Sequence, residues 1–168
     1  ANSKDWEAIK LAAKQGRLED IPDQVYVTHY RTLKMIATDN MVTPKDLDGC
    51  SGIWIYGPPG TGKSHYARAH YGSSLYLKAQ NKWWDGYQGQ KFVLLDDLDT
   101  KVLGHYLKIW CDKYAFMAEC KGSSIQIRPD KFIITSNYTP EQLFEDPIVA
   151  AAVRRRCYFI HLPFVFKK

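Results

Sequence analysis

From residue 52 onward, short apolar runs alternate with stretches whose apolar residues recur every three or four positions. The runs GIWIY (52–56), SLYLKA (74–79), KFVLLDD (91–97), KFIITSN (131–137) and YFIHLPF (158–164) each read as a strand. Between them, residues 63–71, 101–114 and 147–157 read as helices, the first with Gly72 as its stop. Residues 116–129 read as a β-hairpin turning at Lys121-Gly122-Ser123. Strands alternating with helices imply an α/β fold with a mostly parallel central sheet, and ligands at the carboxyl ends of its strands. Before residue 52 the pattern differs. Residues 3–15 are helical by the spacing of Trp6, Ile9 and Ala13, and Gly16 ends them. Residues 22–37 read as a second helix, with Pro22 in its favoured first-turn position. The expected organisation is a helical segment at 1–40, a linker at 41–51 and an α/β domain at 52–168.

Composition changes this picture mainly by exclusion. Hydrophobic residues make up 45% and charged residues 24% of the chain, which rules out a disordered or collagen-like class. No apolar run reaches membrane-spanning length, so no membrane partner is expected. The polar start ANSKDWEAIK does not read as a signal peptide, and with no initiating Met the chain is expected to be a piece of something longer. Cys50, Cys111, Cys120 and Cys157 lack metal-ligand spacing and read as free thiols in a reducing compartment. The net charge of +5 permits an anionic partner without requiring one.

The candidate chemistry begins at GPPGTGKS, residues 57–64. Gly57, Pro58, Pro59, Gly60, Thr61 and Gly62 form a loop with few side chains, whose backbone N–H groups can converge on one anion. The following helix adds the positive end of its dipole. Lys63 is expected to reach the β- and γ-phosphates of ATP, and the Ser64 hydroxyl to bind Mg²⁺. Without nucleotide, Lys63 is expected to face solvent. Asp96 and Asp97 end an apolar strand, where two acids are costly unless a cation or a reaction uses them. Beside a phosphate loop, Asp96 is assigned to the metal and Asp97 to the attacking water. Asn137, at the end of FIITS, can hydrogen-bond a γ-phosphate or the water without adding charge. Of Arg154, Arg155 and Arg156, one is expected to act at a γ-phosphate, since consecutive residues cannot share one helix face. Trp83, Trp84 and Tyr87 fit a core, a subunit interface or a platform for the base of ATP.

In order along the chain, GPPGTGKS, NKWWDGY, VLLDD, ECKGSSIQI, ITSN and VRRR resemble the superfamily 3 helicase domain. More narrowly, they are similar to the replication initiators of circular single-stranded-DNA viruses, closest to the circovirus type. The resemblance covers about residues 52–162, and the helical 1–40 region looks like the oligomerisation segment of such proteins. It implies an AAA+ P-loop NTPase that assembles as a hexameric ring and moves 3′ to 5′ on single-stranded DNA in the host nucleus. It implies that Gly57–Ser64 bind ATP and Mg²⁺, that Asn137 is the first sensor, and that Lys121 and Gly122 form the DNA-gripping tip. It also implies that an arginine, taken as Arg155, enters the neighbouring subunit's site. The family's nicking half, with its His-x-His element, has no counterpart in this sequence. A single ATPase lobe favours a ring for a physical reason as well: its arginine must come from a neighbour, and repeating that contact head to tail closes. Two rival readings are a small P-loop kinase and an ATP-switched DNA-binding module without unwinding. The first lacks an arginine-bearing lid between 72 and 130, and the second has no use for a placed water.

Overall fold

Gly52–Tyr56 buries four of its five residues, and Lys131–Ser136 is exposed only at Lys131, as expected of strands covered on both faces. The computed structural model describes residues 3–72 and 74–165, which divide between Thr43 and Pro44 into two units. The second unit runs β1 (Gly52–Tyr56), α4 (Lys63–Tyr71), β2 (Leu75–Leu77), β3 (Phe92–Leu95) and α5 (Gly104–Trp110). It continues through β4 (Phe116–Cys120), β5 (Ser123–Ile127), β6 (Lys131–Ser136), α6 (Pro140–Leu143), α7 (Pro147–Arg155) and β7 (Cys157–His161). Five strands form one parallel sheet in the order β2-β3-β6-β1-β7. The α/β expectation is met, and every pairing in this sheet is parallel.

Alternation along each strand sorts the core onto two faces. Ile53, Ile55, Leu94 and Ile133 pack with Ala67 of α4. Trp54, Val93, Leu95, Phe132 and Ile134 point the other way, onto Leu107, Trp110, Leu143, Val153 and the inner side of the β4–β5 hairpin.

The hairpin lies outside the main sheet, and the segment NKWWDGY secures it. Trp84 N–H donates to Glu119 O at 2.9 Å, and Lys121 N–H donates to Asp85 Oδ1 at 3.0 Å. The Trp84 side chain is fully buried, with its ring within 6.0 Å of Tyr76, Tyr87, Trp110, Phe116 and Phe132. Trp84 is thus a core residue, and Tyr87 is partly buried and packed against that core. Trp84→Ala is expected to cost about 3–5 kcal/mol in denaturant unfolding. It should also make the hairpin the first site of limited proteolysis. A loss below about 1 kcal/mol would show that the hairpin is held by other contacts.

Arg128 closes the hairpin root. Its guanidinium donates to Ser51 Oγ (2.9 Å) and to the carbonyls of Trp110 (2.8 Å), Asp112 (2.7 Å) and Tyr114 (2.9 Å). Those carbonyls lie at and beyond the end of α5, where a helix leaves acceptors unpaired. This accounts for α5 stopping at Trp110 instead of continuing to 114.

The first unit contains α1 (Ser3–Lys14), a short 3-10 turn (Leu18–Asp20), α2 (Asp23–Thr28) and α3 (Tyr30–Asp39). Its core is Ile9, Ala12, Ala13, Ile21 and Leu33. The single helix expected over 22–37 is broken at His29 (φ −122°, ψ 24°). Val25, Val27 and Thr28 crowd the preceding turn, and Thr28 Oγ1 donates back to Gln24 O at 2.7 Å, a bond that bends helices.

Candidate active site

The phosphate loop leaves β1 at its carboxyl end, as the sequence places it. Gly57 has no room for a side chain: a Cβ there would lie 2.1 Å from Leu162 O. Gly62 takes a left-handed conformation (φ 82°) at the N-cap of α4, turning the chain from loop to helix. The expectation that Lys63 faces solvent is corrected. Lys63 is 8% exposed, and its ammonium donates to Gly57 O (2.9 Å) and Pro58 O (2.8 Å). The loop curls so tightly that its own carbonyls are the nearest acceptors. Burial pulls the Lys63 pKa below its ordinary value, partly opposed by the nearby Asp97 and Asp96 carboxylates.

Across the loop, hydroxyls converge on one carboxylate. Ser64 Oγ and Thr135 Oγ1 each donate to Asp96 Oδ1 at 2.6 Å. Arg68, one helical turn after Ser64, stands 4.0 Å from Asp96 Oδ2. Ser64 and Asp96, assigned to one metal from sequence, are therefore adjacent. A hydroxyl and a carboxylate are hard oxygen donors of the kind Mg²⁺ accepts, so the residues fit that ion.

Asp97 sits beside this cluster in the left-handed region (φ 53°), which among the described residues no other non-glycine residue adopts. Its N–H donates to Thr135 Oγ1 (2.8 Å), and its carbonyl accepts from Gln80 Nε2 (2.9 Å). Both bonds hold the backbone, leaving the carboxylate exposed and without a hydrogen-bond partner among the described residues. Such strain is stored where a side chain must be aimed. Asn137 follows the end of β6, next to the exit of β3, and its amide also has no partner among the described residues. Thr135, which links Asp96 to Asp97, was missed from sequence. A hydroxyl that is 1% exposed within an apolar strand was the available signal.

The arginines lie at the other end of the sheet. α7 ends at Arg155, and Cys157 begins β7 opposite Gly52, the first residue of β1. Two of the three are committed within the chain. Arg154 pairs with Glu141 through Nη2 (2.8 Å to Oε2) and lies 4.3 Å from the Phe159 ring centre. The bond to Arg154 holds the Glu141 carboxyl below its usual range. Arg156 Nε donates to Asp112 Oδ2 at 3.0 Å. Burial pushes the Asp112 carboxyl up, but the Lys113 N–H and Arg156 outweigh it and hold the group low. Arg155 is exposed and has no partner among the described residues. From Cys157 to His161 is on the order of 13 Å at about 3.3 Å per residue, so Arg155 cannot reach the loop of its own chain. Lys121 and Gly122 stand apart from the loop, at the exposed hairpin tip, with Gly122 at φ 84°.

A phosphate-loop site at the carboxyl ends of a parallel sheet, with an acidic residue facing the loop serine, defines a P-loop ATPase core. Residues 53–138 match the family model described as RNA helicase, and the chain belongs to that family. It is an enzyme of the ATPase and helicase class. Among curated relatives, the replication-associated protein of Porcine circovirus 1 is 33% identical over 88% of this chain and 50% of its own length. The replication-associated protein of Goose circovirus is 38% identical over 85% of this chain and 55% of its own. That of Beak and feather disease virus is 35% identical over 73% of this chain and 42% of its own. The chain spans about half the length of the curated relatives it matches.

Proposed function

We propose that this chain is the motor domain of a viral replication initiator. It hydrolyses ATP between subunits of a hexameric ring and moves 3′ to 5′ on single-stranded DNA during rolling-circle replication in the host nucleus. One observation carries the reading: Ser64, Thr135 and Asp96 converge at 2.6 Å across the phosphate loop, while the Asp97 carboxylate and the Asn137 amide beside them have no hydrogen-bond partner among the described residues. A nucleotide that is only bound needs no second, strained acid at its terminal phosphate.

The loop N–H groups hold the phosphates, and Lys63 exchanges its two carbonyl partners for phosphate oxygens. Ser64 and Asp96 would hold Mg²⁺, which would supply neutralisation of the phosphate charge. Asp97 orients a water in line with the γ-phosphate and takes its proton, and Asn137 fixes that water or a γ-oxygen. The exposed Arg155 of one copy meets the charge that develops in the site of the next. In the first unit, Val27 (76% exposed) and Met35 (64%) are uncovered apolar residues suited to contact between copies. The test is the ATPase rate per chain against protein concentration, with and without single-stranded DNA. A rate that rises steeply with concentration and is stimulated by DNA is expected. A rate per chain independent of both would reject the shared site.

Lys121 supplies the DNA contact in this reading. Its backbone N–H is held by Asp85, so replacing its side chain leaves the tip anchored. Lys121→Ala should keep basal ATPase near the parental rate, weaken single-stranded DNA binding and reduce the salt slope, because binding that neutralises fewer phosphates releases fewer counterions. Unwinding should stop, since six copies multiply a small loss per site. Parental unwinding with the parental salt slope would remove the hairpin from the DNA path.

A further inference from the structure

The base of the nucleotide still lacks a place. Trp84 is fully buried, and the half-buried Tyr87 is committed to Tyr76, Trp84 and the Gln90 carbonyl, so neither offers a face to the base. The sheet order supplies a direction. Asp96, Asp97 and Asn137 lie at the exits of β3 and β6, on one side of β1, and β7 lies on the other. Strand exits are about 4.8 Å apart. A nucleoside triphosphate whose terminal phosphate faces the acidic pair therefore runs across the loop toward the exit of β7.

The chain leaving β7 turns along the loop at that point. Leu162 N–H donates to Tyr56 O at 2.9 Å, and Leu162 O closes against Gly57. Val165 Cγ1 lies 3.5 Å from where a Cβ on Gly60 would stand. The His161 ring stacks flat on Tyr56, with centres 4.5 Å apart and planes 9° from parallel. Phe164, between these contacts, is 82% exposed. An exposed aromatic ring between two residues that touch the phosphate loop presents the surface a heterocyclic base stacks on.

We propose that residues 161–165 form the base-binding wall of the nucleotide site, with Phe164 and the His161–Tyr56 stack as the platform for a purine. The proposal rests on the reading of residues 57–64 as the phosphate loop. It assigns specificity to a part of the chain that holds no phosphate and no metal. Recognition is by stacking and apolar contact, so adenine and guanine should both be accepted in preference to a pyrimidine.

The test separates base from phosphate. Binding of a ribose-tagged fluorescent ATP is measured in the full chain, with Mg²⁺, and competed with ATP, CTP and inorganic tripolyphosphate. Phe164→Ala is expected to weaken ATP about tenfold, the scale of one lost stacking partner, and to leave tripolyphosphate competition unchanged. Phe164→Trp should restore ATP affinity, and the parental preference for ATP over CTP should disappear in Phe164→Ala. The proposal is overturned if Phe164→Ala and His161→Ala both bind ATP with parental affinity. Equal weakening of ATP and tripolyphosphate also overturns it, because the segment would then act only by shaping the loop. Failure of parental protein to bind either ligand would defeat the phosphate-loop reading itself, and the base wall with it. Lys63→Ala marks the difference, since it should weaken ATP and tripolyphosphate alike.

Discussion

Arg155→Ala is expected to lower ATP turnover by roughly 10³-fold or more, the scale of a lost arginine finger, while nucleotide binding stays near parental. The expectation follows from where the three arginines are. Arg154 is bound to Glu141 and Arg156 to Asp112, so neither is free without breaking a contact of its own chain. Arg155 is exposed at the amino end of the sheet, a strand's length from its own phosphate loop. In the proposed ring it acts on the nucleotide of a neighbour. Mixing supplies the decisive arm. Arg155→Ala keeps an intact loop, and Lys63→Ala keeps an intact arginine. Neither variant should turn over ATP alone, and together they should regain part of the parental rate at mixed interfaces. A mixture as inactive as its components would show that the arginine does not act between subunits.

Asp97→Asn should abolish hydrolysis by about 10²–10⁴-fold, the range for loss of a general base, and leave binding of ATP with Mg²⁺ intact. Asparagine is the informative replacement. It tolerates the left-handed backbone as well as aspartate does, so φ 53° at this position is kept at little cost. The N–H bond to Thr135 and the carbonyl bond from Gln80 are backbone contacts and survive. What is lost is the carboxylate's charge and, in the proposed role, its ability to take a proton. Asp96→Asn should behave differently, weakening Mg²⁺-dependent binding, because Asp96 gathers the Ser64 and Thr135 hydroxyls. Loss of binding in Asp97→Asn, with binding kept in Asp96→Asn, would exchange the two roles. Rapid filtration of bound nucleotide beside a phosphate-release assay distinguishes these outcomes.

The features legible in the sequence are those written in local pattern. Apolar runs and their polar ends placed all five parallel strands, and glycine spacing placed the loop. Ser64 and Asp96, far apart in the chain, were paired by chemistry alone and lie 2.6 Å apart. What stayed hidden depends on tertiary partners. Thr135 reads as one more strand residue until β3 is laid beside β6. The burial of Lys63 depends on how tightly the loop curls, which residue type does not reveal. Arg128 looks like a surface arginine until the carbonyls beyond α5 are brought to it. NKWWDGY has no periodicity to read, because its work is to tie a distant hairpin through single backbone contacts. The break at His29 was legible in part, since three β-branched residues crowd the turn before it.

The position of β1 in the sheet has a consequence for synthesis. The strand that carries the phosphate loop pairs with β6 on one side and β7 on the other, and both are made long after it. Until residues 131–136 and then 157–161 emerge from the ribosome, GIWIY has neither neighbour and both of its edges stay open. Distant pairing of this kind slows folding and leaves apolar strands exposed to aggregation. A nascent chain halted before residue 157 would also lack Leu162, whose N–H is bonded to Tyr56 O and whose carbonyl closes against Gly57 at the start of the loop.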